Sequence, residues 1–227
     1  PLQKMKMLTM VGNSTSRLAY PELIDVGNLD VDGKLLPDDD RRRAYNRGNL
    51  LWHTDVSFDA NRATLSLLAA HRIPPVGADT EFADTRAAYD ALPEAMKKRI
   101  EGLVVEHSVW HSRALGGMSD VSEAEKATRP PSHHRLVHVH AGSGRKVLYL
   151  ASHASHVVGW PLDEGRALLK ELSDFATQER FVYRHRWQLN DLLVWDNLAT
   201  MHRATPFDDT RHPRDMRRVT VLERAEA

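Results

Sequence analysis

The chain contains no cysteine, which removes disulfides, thiolate-bound metals and cysteine nucleophiles from consideration together. No apolar run approaches the ~20 residues that span a bilayer, and Pro1-Leu2-Gln3-Lys4-Met5-Lys6 does not read as a signal peptide. Net charge is absent too. The 31 basic residues balance 31 acidic ones, so neither nucleic acid nor an anionic membrane surface is an expected partner. What these absences leave is a small diffusible ligand and a cytoplasmic setting. There is no internal repeat, and the first residue is not methionine, so an N-terminal segment before Pro1 is expected to be missing.

What is present suits one folded domain over residues 1–227. A chain of this length with 41% hydrophobic residues can bury roughly 70% of its unfolded surface. Short apolar runs with strand-like composition recur at 63–73, 104–112, 146–151, 181–187, 191–195 and 217–222, which predicts a β-rich core. Two stretches carry helical spacing. One opens at Asp84-Thr85 and should be split by Pro93; the other follows Pro161, with acids in its first turn and Leu168, Leu169, Leu172, Phe175 and Ala176 on one face. Two long polar stretches, 30–49 and 118–134, read as lids, binding loops or disordered segments.

The chemistry concentrates at His53-Thr54-Asp55 and at a distant His202 in Trp195-Asp196-Asn197-Leu198-Ala199-Thr200-Met201-His202. In extended backbone, residues two apart point to the same side, so His53 and Asp55 can face one cavity. Two imidazoles and a carboxylate are the donor set of the facial triad, which leaves open positions on a non-haem Fe(II). In a chain with 13 histidines an isolated His-x-Asp carries little weight, and its surroundings decide the matter. A cluster of arginines, Arg214, Arg217 and Arg218, follows the distal histidine. It could be a solvated face. If the segment is a strand, however, Arg218 shares a side with Met216 and Thr220 while Arg217 points the other way.

Gly48-Asn49-Leu50-Leu51-Trp52-His53-Thr54-Asp55 and Trp195 to His202 together resemble the iron-binding segments of the taurine and 2,4-dichlorophenoxyacetate dioxygenase family. Further likeness lies in Gly77 to Asp84, in Arg214 to Thr220, and in 80–93, 140–146, 153–157 and 181–187, the last four similar to the herbicide-degrading branch. The resemblance implies a mainly β fold with flanking helices, the double-stranded β-helix or jelly roll. It further implies Fe(II) held by His53, Asp55 and His202, with 2-oxoglutarate and O2 as cosubstrates. Thr80, Arg214 and Arg218 would bind 2-oxoglutarate, since guanidinium forks match a planar carboxylate and stay charged.

On this resemblance the enzyme hydroxylates an aryloxyalkanoate beside its ether oxygen. The product collapses to a phenol and glyoxylate, and 2-oxoglutarate leaves as succinate and CO2. Such a substrate needs a cationic grip, for which His153 and His156 are candidates, and an orienting hydrogen bond, for which Asn49 is one. The remaining histidines, His71, His107, His111, His133, His134, His138 and His140, read as non-ligands. A homo-oligomer is expected. A taurine or alkyl-sulfonate oxygenase would share the whole catalytic set. A zinc hydrolase could use the same triad but has no need of the arginine clamp, and a jelly-roll binding protein would need neither.

Overall fold

In the computed structural model, which describes the backbone of residues 6–7 and residues 18–118 and 120–223, the apolar runs become antiparallel strands. The start of the chain, Pro1 to Met5, lies outside the described residues. In chain order the elements are β1 (Lys6–Met7), β2 (Ile24–Asp25), α1 (Arg41–Asn46), β3 (Ala63–Arg72), β4 (Thr80–Asp84), α2 (Thr85–Ala91), α3 (Glu94–Ile100) and β5 (Val104–His107). There follow α4 (Val109–Leu115), α5 (Glu123–Ala127), β6 (Ser132–Arg135), β7 (Val137–Val139), β8 (Lys146–Leu148) and β9 (Ala154–Val157). The last are α6 (Leu162–Ala176), β10 (Val182–His185), β11 (Leu192–Asp196), β12 (Thr200–Ala204) and β13 (Asp215–Leu222).

Two sheets face each other. One runs β1-β13-β3-β11, with β2 also paired to β13, and the other runs β10-β4-β12. Strand alternation decides what enters the space between them. From the first sheet come Leu68, Ala70, Trp195 and Met216, and from the second Phe82; with Trp187 these form one buried cluster. In the second sheet, Ala83 and Met201 point the opposite way and join a larger cluster with Leu168, Leu169 and Leu172 of α6. The register pairs Phe82 with His202 and Ala83 with Met201. Phe82 and His202 therefore share the inner face, while their neighbours support the helical layer.

Local chemistry sets the helix boundaries. The Asp84 carboxylate accepts from the backbone N–H groups of Arg86 and Ala87 and starts α2. Pro93, lacking an N–H, separates α2 from α3 as the sequence predicts. Helix α6 follows Pro161 and buries Leu168, Leu169 and Leu172, each worth roughly 1.5–3 kcal/mol of transfer free energy. Gly165 allows its close seat on β9, since an added Cβ would stand 3.0 Å from the Val157 nitrogen.

The structure corrects the sequence reading in two places. The apolar run at 104–112 is a strand only through His107: the Ser108 hydroxyl caps the His111 N–H, and the chain turns into α4. The two polar stretches are not structureless. The first holds α1, capped by Asp40, and the second holds α5, closed by a reciprocal Ser122–Glu125 capping box. Arg41 and Glu125 join them at 2.6 Å.

Candidate metal and cosubstrate site

His53 and His202 are brought together by the backbone. Outside any longer ladder, His53 N donates to the His202 carbonyl at 2.9 Å and His202 N donates to the His53 carbonyl at 2.7 Å. Their rings lie 4.2 Å apart between centroids. Asp55, two residues on, turns to the same side as His53, with Oδ1 3.8 Å from His53 Nε2 and Oδ2 3.7 Å from His202 Nε2. One ligand atom from each residue falls within 4.8 Å of the others, and all three side chains are buried. Val56, immediately after, takes a left-handed φ of 56°. For a β-branched residue this costs on the order of 1–3 kcal/mol and is retained where the surroundings hold a functional geometry.

The donors are prepared for a cation. His53 Nδ1 lies 2.7 Å from the Leu51 carbonyl, which can only accept, so Nδ1 carries the proton and Nε2 presents its lone pair. Burial holds both His53 and His202 below the usual histidine range, in the neutral form that binds metal. Burial alone would raise the Asp55 carboxyl, yet Arg218, His202 and His53 hold it well below the carboxylate range. Its Oδ1 accepts from Arg218 Nη1 at 2.6 Å and its Oδ2 from the Ser66 hydroxyl at 2.7 Å.

Behind Asp55 lies a chain of bonds that gives the Trp195-Asp196-Asn197 segment its meaning. Asn197 Nδ2 donates to Ser66 Oγ at 2.9 Å, while its Oδ1 accepts from Trp195 Nε1 at 3.0 Å and from the Asp55 N–H at 3.3 Å. Such outer partners fix the orientation of a ligand. Ser66 gave no signal in the sequence; its place opposite Thr220 and Trp195 in the sheet is a tertiary fact.

The site opens onto a cavity of about 810 Å³, whose wall includes Asn49, His53, Asp55, Arg113, His153 and Arg218. His153 stands edge-on to His53 at 6.1 Å and bonds to Ser57 Oγ at 2.9 Å. Burial holds it well below the histidine range, so its ring is neutral rather than cationic. His156 is not on this wall. Strand β9 turns it toward Glu106, with Nδ1 3.6 Å from the carboxylate. Thr80 and Arg214 also lie off the cavity wall.

Thr80 nevertheless shares the inner face with His202, because Thr80 pairs with Ala204 and Phe82 with His202. That diagonal relation puts side chains roughly 7–8 Å apart. Its hydroxyl accepts from Trp187 Nε1 at 3.0 Å and keeps its own proton to donate. Arg214 is buried, held by Asn28 and by the Val26 carbonyl at 3.1 Å, and forms no ion pair with a carboxylate among the described residues. Desolvation pushes it down to about 10. A buried guanidinium of this kind suits an anionic ligand. Arg218 likewise keeps a buried Nε without a hydrogen-bond partner among the described residues. The donor set fits a divalent iron, and the buried Arg214 guanidinium without a carboxylate partner among the described residues suits an anionic group.

The chain is similar to known proteins along nearly its whole length. Residues 8–220 match the family described as "Taurine catabolism dioxygenase TauD, TfdA family". It is 48% identical over 215 residues to an alpha-ketoglutarate-dependent 2,4-dichlorophenoxyacetate dioxygenase of Cupriavidus pinatubonensis, covering 95% of this chain and 75% of that one. An (S)-phenoxypropionate/alpha-ketoglutarate-dioxygenase of Sphingobium herbicidovorans is 36% identical over 198 residues, 84% of this chain and 69% of its own. Among solved structures, AAD-2 in complex with Mn(II) and N-oxalylglycine superposes with a TM-score of 0.93 at 45% identity, covering 98% of this chain and 78% of that one.

Proposed function

Because the chain belongs to the TauD/TfdA family and is a jelly-roll, 2-oxoglutarate-dependent dioxygenase, we propose that it hydroxylates an aryloxyalkanoate of the 2,4-dichlorophenoxyacetate kind. The observation that carries this reading is the apolar wall of Leu29, Leu36, Val56 and Phe58 in the cavity of about 810 Å³ onto which the buried His53, Asp55, His202 triad opens. Iron would be held by these three residues, and 2-oxoglutarate by Thr80, Arg214 and Arg218. When bound, the metal and cosubstrate supply the oxidising power for C–H hydroxylation, with succinate and CO2 as coproducts.

The chain's own residues bind, orient and exclude water. Arg218 neutralises Asp55 and keeps it ionised, and Ser66 with Asn197 fixes its plane. Buried Arg214 anchors the remote carboxylate. Leu29, Leu36, Val56 and Phe58 on the cavity wall offer an apolar slot for an aromatic ring. Hydroxylation of the carbon beside the ether oxygen gives a hemiacetal, whose C–O bond breaks to release a phenol and glyoxylate. Exposed Leu192 and Val194 on the edge strand β11 support a homo-oligomer. Among the described residues, no helix is long and apolar enough to cross a membrane.

The test is oxygen uptake with Fe(II) and 2-oxoglutarate across phenoxyacetate, 2,4-dichlorophenoxyacetate, both phenoxypropionate enantiomers and taurine. Uptake stimulated by an aryloxy acid with equal phenol release is the expected result. Stimulation by taurine alone would refute the aryloxyalkanoate reading.

A further inference from the structure

One buried amide, Asn28, is left unused by the iron, cosubstrate and substrate assignments. Arg214 lies just before β13, past an irregularity in the pairing with β3 between Asp215 and Met216. Its backbone is taken up by Asn28 instead. The Arg214 N–H donates to Asn28 Oδ1 at 2.7 Å, and the Asn28 N–H donates to the Arg214 carbonyl at 3.2 Å. Asn28 Nδ2 donates to the carbonyls of Asp209 and His212 at 2.8 and 2.9 Å, which ties down the loop leading into Arg214. The residue is only 6% exposed, and its amide spends both hydrogens and its oxygen on main-chain partners.

The neighbours of Asn28 complete the seat. The Val26 N–H donates to the Met216 carbonyl at 2.9 Å and the Val26 carbonyl accepts from Arg214 Nη1 at 3.1 Å, so 26–28 continues β2 alongside the start of β13. Gly27 permits the approach, since a Cβ there would fall 2.3 Å from the Arg214 oxygen. Helix α1 braces the same points: Asn46 Nδ2 donates to the Gly27 carbonyl at 3.1 Å, and Arg43 Nη2 to Asp209 Oδ1 at 2.8 Å. Val26, Gly27 and Leu29 line the cavity, whereas Asn28 between them is off its wall. Asn28 therefore bears on Arg214 and not on the substrate pocket.

We propose that Asn28 is a positioning residue for the cosubstrate: by fixing the main chain of Arg214, it sets where the guanidinium stands to meet the remote carboxylate of 2-oxoglutarate. The assignment rests on the reading of Arg214 as that anchor. An arginine side chain is long and swings freely, while a dicarboxylate has a fixed reach, so the fork meets it in register only if its root is fixed. Without the amide, the Arg214 N–H and two loop carbonyls lose their partners, and the chain entering β13 is free to shift.

The experiment measures the affinity of N-oxalylglycine, a dicarboxylate stand-in for 2-oxoglutarate, for the Mn(II)-loaded protein in a double-mutant cycle of Asn28→Ala and Arg214→Ala. Asn28→Ala should weaken binding roughly 10-fold or more while leaving Mn(II) affinity, measured without N-oxalylglycine, unchanged. In the Arg214→Ala background the same change should cost nothing further, because Asn28 acts only through that arginine. In turnover, the KM for 2-oxoglutarate should rise while kcat holds, the mark of lost binding and not of lost chemistry. Asn28→Asp has the same shape but no hydrogens for the Asp209 and His212 carbonyls; it should behave as Asn28→Ala does, and it decides the matter if that variant does not fold. Wild-type affinity in the folded Asn28 variant, or losses that add in the double variant, overturns this inference alone. An Arg214→Ala protein that binds N-oxalylglycine as tightly as the wild type overturns the anchor reading together with it.

Discussion

Ser66 is the residue whose removal most sharply separates positioning from ligation at the iron site. It touches no proposed iron position, yet it donates to Asp55 Oδ2 and accepts from Asn197. Ser66→Ala should weaken metal affinity about 10–100-fold while leaving the three ligands in place, measured by Fe(II) or Mn(II) titration. Arg214→Ala should weaken 2-oxoglutarate binding by about 2–4 kcal/mol, the cost of a lost buried charge pair, as read by calorimetry on the metal-loaded protein; an unchanged affinity would sink the clamp assignment. His107 supplies a pH prediction. Fully buried beside Ser57, it is pushed down to about 3 by desolvation, so the unfolded chain takes up its proton first. Its contribution to stability is complete above about pH 6.5 and is lost as pH falls toward 3. The melting temperature of the metal-free protein should therefore drop between pH 7 and 5, and drop less steeply in His107→Gln. At this scale the ligands were legible because their motif is local: His53 and Asp55 sit two apart, and Trp195 and Asn197 announce His202. Ser66 was not, because a lone serine in a strand carries no pattern; its meaning comes from Asp55 and Asn197, which the fold brings to it.

Among the elements, α2 offers a clean test of how local signals start a helix. Asp84→Ala removes acceptors for two backbone N–H groups and should cost about 1 kcal/mol, read as a lower midpoint in urea unfolding. The long strands β3 and β13 and the helices α2 and α6 were readable from periodicity and caps. Other elements were not, for physical reasons. Strand β4 has its first four residues buried on both faces, between the inner cluster and the helical layer, so it shows no alternation. Its Glu81 is paired to Arg184 and Arg203, which hides a carboxylate in an apolar position. Strand β6, Ser132–Arg135, is polar and takes its place only through β5. Helices α1 and α5 are six and five residues long and rich in charge, below the length at which an apolar stripe can register.

For the molecule as a whole, ligand binding and stability should be linked. Mn(II) with N-oxalylglycine, each at 100 times its dissociation constant, should add about 2.7 kcal/mol per independent site to the folded state and raise the melting temperature, and Asp55→Ala should abolish the shift. The reciprocal bonds between His53 and His202 carry a further consequence. The main chain sets how far apart the two ligand-bearing residues stand, and nothing in a nitrogen and oxygen donor set favours iron by softness. Co(II), Ni(II) and Cu(II) bind such sets more tightly than Fe(II). The protein therefore has no softness-based preference for iron, and traces of copper or nickel should act as competitive poisons that excess iron relieves.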